Sequence, residues 1–443
     1  LKKVISPQQF ANVRPQCELV NPAVEKAIKL FERGVTRWLD RSIPDTIQLW
    51  DYAPGGYAVP FGVWPQPLHN RSFTAPWLRT YQARAIHACI GWDCGVIVAP
   101  CGSGKTQAGV GIIAATGSWL TIIVVHTKDL LEQWVQRIGQ ISPGGVGVVH
   151  AAAGSAKLAK ALAAKGLRLD GGRDVIVTTV QTLVRMTKDR RISCGLVIVD
   201  EAHHCPASTY TEVLDRMEYG AIYGLTATPD REDGLGEMMT AYLGPVRYTV
   251  DRAQLVRDGQ TITPAVVKVE TGCFTRASEY SAMLTELAGN EARNAIIWEQ
   301  VRTHGAYPQL ILTQRVEHAE ALAAASGHLH AVALTGEVRG REAILAGVRD
   351  GTVDVLIATQ LADEGLDLPE LCAVHLALPS RAAGRTEQRV GRIMRPSEGK
   401  GTPVVYDYVD DDTLAAAQWR ARRKVYIGIG VTKWRVVKCL EVI

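Results

Sequence analysis

Three groups of residues in this chain have the types and spacing for phosphate chemistry. The first is Ala99-Pro100-Cys101-Gly102-Ser103-Gly104-Lys105-Thr106, set between the apolar run Gly95–Ala99 and a helical pattern. A phosphate chain needs backbone N–H groups aimed inward at a helix N-terminus, and Gly102, Ser103 and Gly104 permit that close approach. In such a loop Lys105 holds the outer phosphates and the Thr106 hydroxyl ligates magnesium. The competing reading is a glycine-rich turn without a ligand, which the strand–loop–helix context disfavours. The strict pattern carries glycine where this chain has Ala99. Cys101 is expected to serve through its backbone, not its thiol.

The second group is Leu196-Val197-Ile198-Val199-Asp200-Glu201-Ala202-His203-His204. An apolar strand ending in two acids delivers them to the carboxyl edge of a sheet, where open α/β folds bind ligands. Asp200 is expected to hold magnesium and Glu201 to polarise an attacking water. Adjacent histidines point in different directions, so His203 and His204 suggest coupling to the γ-phosphate rather than a metal site. The third group runs from Thr386 to Arg395, where Arg389, Arg392 and Arg395 recur every three residues and share one helical face. Such a face can simply be solvated, or can touch nucleic-acid phosphates. Alongside a separate phosphate-loop domain, Arg392 and Arg395 are expected to act as arginine fingers on the γ-phosphate.

These groups need a scaffold, and the hydrophobic pattern supplies one. Short Val/Ile-rich runs at Gly95–Ala99, Leu120–Val125, Val175–Thr178, Leu196–Val199 and Ala221–Leu225 alternate with amphipathic stretches such as Asp129–Ile141. A second alternating set holds Gln309–Leu312, His330–Leu334, Val353–Ala358, Ala373–Leu378 and Val404–Tyr408. Two such blocks predict two tandem doubly wound parallel-sheet α/β domains. The expected division is an accessory domain at 1–72, a first domain at 73–245, a linker at 246–275, a second domain at 276–410 and a tail at 411–443. Proline punctuates the first region (Pro15, Pro22, Pro44, Pro54, Pro60, Pro65, Pro67), with one helix expected over Pro22–Leu39. The Ala-rich stretch 151–164 suits a helix, and so does the start of the tail.

Composition agrees with this and excludes little else. At 443 residues the chain exceeds what one core usually organises. Hydrophobic residues at 47% and charged residues at 21% make it too apolar for a disordered chain. A net charge of +4 allows nucleic-acid binding without arguing for it. The nine cysteines show no C-x-x-C spacing, so buried thiols in a reducing compartment are expected rather than zinc or disulfides. Neither a signal-like run nor a membrane-length apolar stretch occurs, which predicts a soluble, cytoplasmic protein. The first residue is Leu, so the start of translation is expected upstream.

Taken in order, these motifs resemble the superfamily 2 helicases of the Asp-Glu-Ala-His type over about residues 78–410, adding Gly224-Leu225-Thr226-Ala227-Thr228-Pro229 and Gln388-Arg389-Val390-Gly391-Arg392. The resemblance implies two RecA-like domains, ATP and Mg2+ as cofactors, and catalytic roles for Lys105, Glu201, Gln388, Arg392 and Arg395. Leu78-Arg79-Thr80-Tyr81-Gln82 resembles the adenine-side motif, with Gln82 as base reader. Asp363 to Asp367 resembles the segment that couples ATP to strand contacts, with Asp367 toward the nucleotide. Arg231-Glu232-Asp233 resembles a motif of the xeroderma pigmentosum group B type of DNA helicase, whose phage and archaeal relatives also match Arg395-Pro396-Ser397 and Lys400. By motif position, strand contacts fall to Thr127, Lys128, Thr179, Gln181, Arg231, Thr313, Gln314, Arg315 and Thr359. For each of these a strand-end cap is the alternative. Arg420, Arg422, Arg423 and Lys424 could add a phosphate contact. The implied partner of this monomer is single-stranded, forked or branched DNA. RNA, a nonenzymatic ATP-dependent clamp and a translocase serving a restriction complex remain open.

Overall fold

The computed structural model describes residues 75–100, 102–141, 149–152, 174–188, 191–205, 208–227, 236–277, 279–336, 338, 340–359, 368–379, 383–411 and 413–439. Before these it describes 3–5, 8–9, 11–12, 18–20, 46–48, 51–53, 56–59, 66–68 and 73. The main division between two compact units falls between Val250 and Asp251.

In the N-terminal region β1 (Lys3–Ile5), β4 (Asp51–Ala53) and β5 (Gly56–Val59) form a small antiparallel sheet, and β2 (Glu18–Val20) pairs with β3 (Thr46–Gln48). The helix expected over Pro22–Leu39 lies outside the described residues. The first unit continues with α1 (Thr80–Ile90), β6 (Cys94–Val98), α2 (Lys105–Thr116), β7 (Leu120–Val125), α3 (Lys128–Ile141), β8 (Val149–Ala152), β9 (Asp174–Thr179) and α4 (Val180–Thr187). It closes with β10 (Ile192–Asp200), α5 (Ser208–Asp215), β11 (Met217–Thr226), α6 (Gly236–Leu243) and β12 (Val246–Thr249). The sheet order is β12-β6-β11-β10-β7-β9-β8, and every pairing is parallel. All residues of β6, β7 and β9 are buried, as strands covered on both faces must be, which is why they read as unbroken apolar runs. Parallel pairing puts the carboxyl ends of β6, β11, β10, β7 and β9 along one edge. That edge receives the phosphate loop, the acidic pair and the segments after Val125 and Thr178.

The second unit holds α7 (Arg252–Arg257), β13 (Ala265–Glu270), α8 (Tyr280–Ala288), α9 (Glu291–His304), β14 (Gln309–Thr313), α10 (Val316–Ala324), β15 (Ala331–Leu334) and α11 (Arg341–Asp350). It ends with β16 (Val355–Thr359), β17 (Ala373–Leu376), α12 (Ala383–Ile393), β18 (Val404–Val409), α13 (Thr413–Gly428) and β19 (Trp434–Lys438). Its parallel sheet runs β15-β16-β14-β17-β18-β13-β19. Alternate strand residues feed two cores. Leu310 and Leu312 join Leu345, Val390 and Trp419 from α11, α12 and α13, whereas Ile311 joins Ile297, Trp298 and Leu322 from α9 and α10. Helices therefore lie on both faces, the doubly wound arrangement expected from the pattern.

Three expectations need correction. The stretch 246–275 is not a plain linker, because β12 belongs to the first sheet and β13 to the second. The region after residue 410 is not a tail either: α13 starts as expected, but Tyr426 and Ile429 enter the core and β19 completes the sheet. The helix suggested for 151–164 begins instead as strand β8 at Ala151 and Ala152, and its remainder lies outside the described residues. Alanine is the strongest helix former, but intrinsic propensity is small per residue, and pairing with β9 overrides it.

The second unit also buries charge. Arg293 and Asp410, both fully buried, meet at 2.7 Å (Nε to Oδ1) and 3.1 Å (Nη2 to Oδ2), while Arg293 Nη1 donates to the Ala377 carbonyl and the Thr271 hydroxyl to Asp410. Two histidines are held neutral. His318 sits between the Thr313 hydroxyl at 2.8 Å and Asn294 Oδ1 at 2.9 Å, and His375 between the Tyr408 hydroxyl and Gln309 Oε1. Burial drops each to about 3 from the usual 6.5, helped at His318 by Arg293 and at His375 by His304.

Arg293→Met should strand the Asp410 carboxylate and destabilise the second unit by about 3–5 kcal/mol, measured by urea unfolding. Acid should act in the same direction. At neutral pH both histidines are neutral whether folded or unfolded, but below 6.5 the unfolded chain gains protons that the folded unit refuses until about 3. Stability should fall by about 1.4 kcal/mol per pH unit for each histidine within that window. Urea midpoints unchanged between pH 7 and pH 5 would contradict this.

Candidate active site

The phosphate loop takes its shape from two glycines. Gly102 and Gly104 have φ of 80° and 77°, in the left-handed region, and α2 starts directly after Gly104. A Cβ on Gly104 would lie 2.5 Å from Gln82 Nε2. Gln82 is buried and braces this turn: its Oε1 accepts from the Arg79 backbone N–H at 2.9 Å, and its Nε2 donates to the Gly104 carbonyl at 3.2 Å and to Gln107 Oε1 at 3.3 Å. Gln107 in turn donates to the Trp77 carbonyl. The amide assigned to the adenine base is thus engaged with the loop itself, and Arg79 places its guanidinium on the Tyr81 hydroxyl.

At the end of β10 the chain turns sharply. Glu201 is the one non-glycine residue with positive φ (46°) among those described, a strained conformation of the kind concentrated at functional sites. The turn swings Glu201 to the Lys105 ammonium, Nζ to Oε1 3.1 Å. His203 Nδ1 lies 3.5 Å from the second Glu201 oxygen and 3.1 Å from the Thr226 hydroxyl. Burial pushes the Glu201 carboxyl up, but the Lys105, His203 and His126 charges outweigh it and hold the group below its usual range. Asp200 goes the other way: burial and the neighbouring Glu201 charge raise it, although Lys105, the Trp134 indole and the Glu201 amide pull it down. One acid is thus held anionic beside the lysine, while the other is costly to ionise unless cationic charge arrives.

That donor set fits magnesium bound together with a triphosphate. No group of three metal-ligating side chains occurs among the described residues, and Mg2+ is commonly held by one or two protein oxygens plus substrate phosphates and water. Asp200, the carboxylate expected to hold it, is 4% exposed, and Thr106 stands in the first turn of α2.

The expected strand contacts separate by exposure. Lys128 and Gln181 are exposed at the starts of α3 and α4. Thr127 and Thr179 act as caps, accepting from the Leu130 and Thr182 backbone N–H groups. In the second unit Thr313 and Thr359 are direct register partners at the carboxyl ends of β14 and β16, both buried. Gln314 donates to the Pro379 carbonyl, and Arg315 to Ser281. Arg392 is half-buried on α12, Arg395 follows the helix end, and Arg389 is buried. Of the basic run on α13, Arg422 is not a phosphate ligand but is buried against Asp407 at 2.7 and 2.8 Å. Arg231 and Asp367 lie outside the described residues, as does the Gln388 side chain.

Comparison with known proteins bears on this geometry. The family described as type III restriction enzyme, res subunit, matches residues 76–231, and the helicase conserved C-terminal domain matches 292–397. These two matches fall on the two parallel sheets in the order the motifs require. The chain has the two-domain motor of the superfamily 2 helicases. It is 28% identical over 384 residues to a DNA 3′-5′ helicase XPB of Mycobacterium tuberculosis, covering 82% of this chain and 65% of that protein. To a putative DNA 3′-5′ helicase Rad25 of Haloarcula marismortui it is 30% identical over 346 residues, covering 72% and 51%. The superfamily 2 chain thus spans about half to two thirds of the length of these curated relatives. Its fold is shared with the DNA-bound restriction–modification enzyme LlaBIII (TM-score 0.63, 16% identity, 82% of this chain and 31% of that one). It is shared too with a putative HsdR fragment from Vibrio vulnificus (TM-score 0.62, 20% identity, 83% and 70%).

Sequence reasoning missed two residues that shape the site, Gln107 and Trp134, which lie on helices read there only as helical or packing segments, and it matched Lys400 to a motif without giving it a role. Lys400 Nζ donates to the Arg395 carbonyl at 3.0 Å and the Pro369 carbonyl at 2.6 Å, fixing the segment that carries Arg395. Gly104→Ala adds a side chain where the backbone is left-handed and Gln82 already fills the space. A cost of about 1–2 kcal/mol should weaken binding of a fluorescent ATP analogue about tenfold, while nucleotide affinity unchanged by the substitution would refute the brace.

Proposed function

We propose that the chain is an ATP-driven DNA helicase or translocase that hydrolyses ATP and remodels single-stranded, forked or branched DNA. The observation that carries this reading is the Lys105–Glu201 pair beside Asp200, built on the carboxyl ends of β6 and β10. In the proposed reaction Lys105 gives up Glu201 to the outer phosphates of ATP. Glu201, held anionic, then orients water for attack on the γ-phosphate, and His203 links that carboxylate to Thr226. Magnesium, held by Asp200 and Thr106, would neutralise phosphate charge. Arg392 and Arg395 act as the arginine fingers, and Gln388 and Asp367 take their roles at the nucleotide from motif position alone.

Residues 73–245 and 276–410 are the motor segments in this proposal, with β12, β13 and β19 belonging to their sheets and α13 packed into the core of the second. The segment 1–72 is an accessory domain. Strand contact falls first to the exposed Lys128 and Gln181, then to Thr127, Thr179, Arg231, Thr313, Gln314, Arg315 and Thr359. The names of the XPB and Rad25 relatives specify 3′-5′ movement on DNA, which favours DNA over RNA and that polarity here. We propose that the protein acts as a monomer in the cytoplasm. No described helix is long and apolar enough to cross a membrane.

Steady-state ATP turnover with no nucleic acid, single-stranded DNA, forked DNA and RNA, at one salt concentration, tests this. Stimulation by DNA is expected. Lys105→Ala and Glu201→Gln should each lower turnover about 10²- to 10⁴-fold. Full turnover in either variant would defeat the assignment, and stimulation by RNA alone would replace the substrate.

A further inference from the structure

Asp200 is gripped at both of its carboxylate oxygens. Trp134 on α3 is fully buried, and its indole Nε1 donates to Asp200 Oδ2 at 2.7 Å. The other oxygen, Oδ1, accepts from the Glu201 backbone N–H at 2.9 Å. Each carboxylate oxygen therefore has one fixed donor, which sets the plane of the group and favours its charged form. The indole reaches this position because Gly109 on α2 has no side chain: a Cβ there would lie 2.4 Å from Trp134 Cη2. The helix that begins with Lys105 and Thr106 thus leaves a gap for the ring that holds Asp200.

The segment bearing Trp134 touches the acidic turn a second time. His126, which precedes Thr127, lies against His204 with ring centroids 4.5 Å apart and the rings tilted by 39°, and His204 in turn lies 4.3 Å from the His203 ring. Between these two contacts stand Thr127 and the exposed Lys128, the first unit's leading strand contacts. A shift of this segment on DNA cannot occur without moving the indole against Asp200, the histidine contacts, or both.

We propose that Trp134 is a positioning residue: it holds the Asp200 carboxylate in its plane and aim, and it carries the state of a bound strand at Thr127 and Lys128 to the magnesium-binding carboxylate. The proposal rests on the reading of the site as a magnesium–ATP site. A tryptophan that served only to fill volume would be replaced well by phenylalanine, which keeps most of the ring and removes the N–H. Loss of the N–H leaves buried Asp200 with only one of its two fixed donors and frees the carboxylate to turn. Outer-shell donors of this kind are typically worth 10- to 100-fold in metal affinity.

The test uses the full chain and its Trp134→Phe variant. Binding of the fluorescent nucleotide mant-ADP is titrated with Mg2+, ATP turnover is measured with and without single-stranded DNA, and the indole N–H resonances are followed by NMR. The Trp134 resonance is the one missing from the variant. The expected result is a Mg2+ midpoint raised about tenfold or more in the variant, a smaller stimulation of kcat by DNA, and a wild-type indole resonance that moves when Mg2+ joins the ADP complex and again when DNA is added. If the wild type binds nucleotide and turns it over, but the variant keeps its Mg2+ midpoint and DNA stimulation, the positioning role is overturned. Should the variant fail to fold, the wild-type resonance decides, assigned through neighbouring nuclei: movement supports the role and stillness overturns it. A wild-type chain that binds no nucleotide would instead overturn the ATP reading itself.

Discussion

A carboxylate withdrawn from water at the end of a central strand must be met by donors or give up its charge. Asp200 is in that position at the end of β10, and much of the first unit can be understood as the answer. β10 lies between β11 and β7, so its last residue is screened by neighbours on both sides. The Glu201 amide, the Trp134 indole and the Lys105 ammonium then come from three different elements to meet it. The left-handed turn at Glu201 follows from the same demand, since an extended continuation would carry the second acid away from Lys105. Strain at one residue is exchanged for a compact group of opposite charges.

The second unit solves a comparable problem for structural ends. Arg293 with Asp410, and Arg422 with Asp407 and Tyr426, are buried polar clusters whose members satisfy one another, placed beneath the ends of β18 and under α13. Satisfied clusters of this kind penalise any other packing of the same helices, because a shifted partner would leave a charge unpaired. The residues at and just after the end of β14 are held in the same way. Thr313, Gln314 and Arg315 spend their polar groups on His318, Pro379 and Ser281.

How much of this was legible in the sequence depends on whether the signal was local. The ten Val/Ile runs gave their strands because strands covered on both faces must be continuously apolar, and the phosphate loop and the acidic pair were legible because each is one short segment. Residues joined across the sheet were not. Trp134 looked like one more apolar position on an amphipathic helix, and its partner Asp200 is far away in sequence. The same holds for Gln82 and Gly104, and for Arg422, whose exposed-looking basic run hides a residue turned inward by Asp407. β12, β13 and β19 were misplaced as linker and tail because short strands with exposed positions carry too few apolar residues to announce themselves.

The position of β13 bears on the order in which the molecule is made. It is the first strand of the second unit to leave the ribosome, yet its neighbours are β18 and β19: Ala265 pairs with Val404, and Val266 with Trp434. The first unit has its whole sheet in hand by Thr249 and can close during synthesis. The second must keep Val266, Val267 and Val269 waiting, with one edge of the strand open until synthesis has passed Val409 and the other until it has passed Lys438. Long-range parallel pairing of this kind is slow to form. The window in which the nascent chain is most open to aggregation and to chaperone capture therefore belongs to the half of the protein that carries Arg392 and Arg395, and an early stop before β19 would leave an apolar edge exposed permanently.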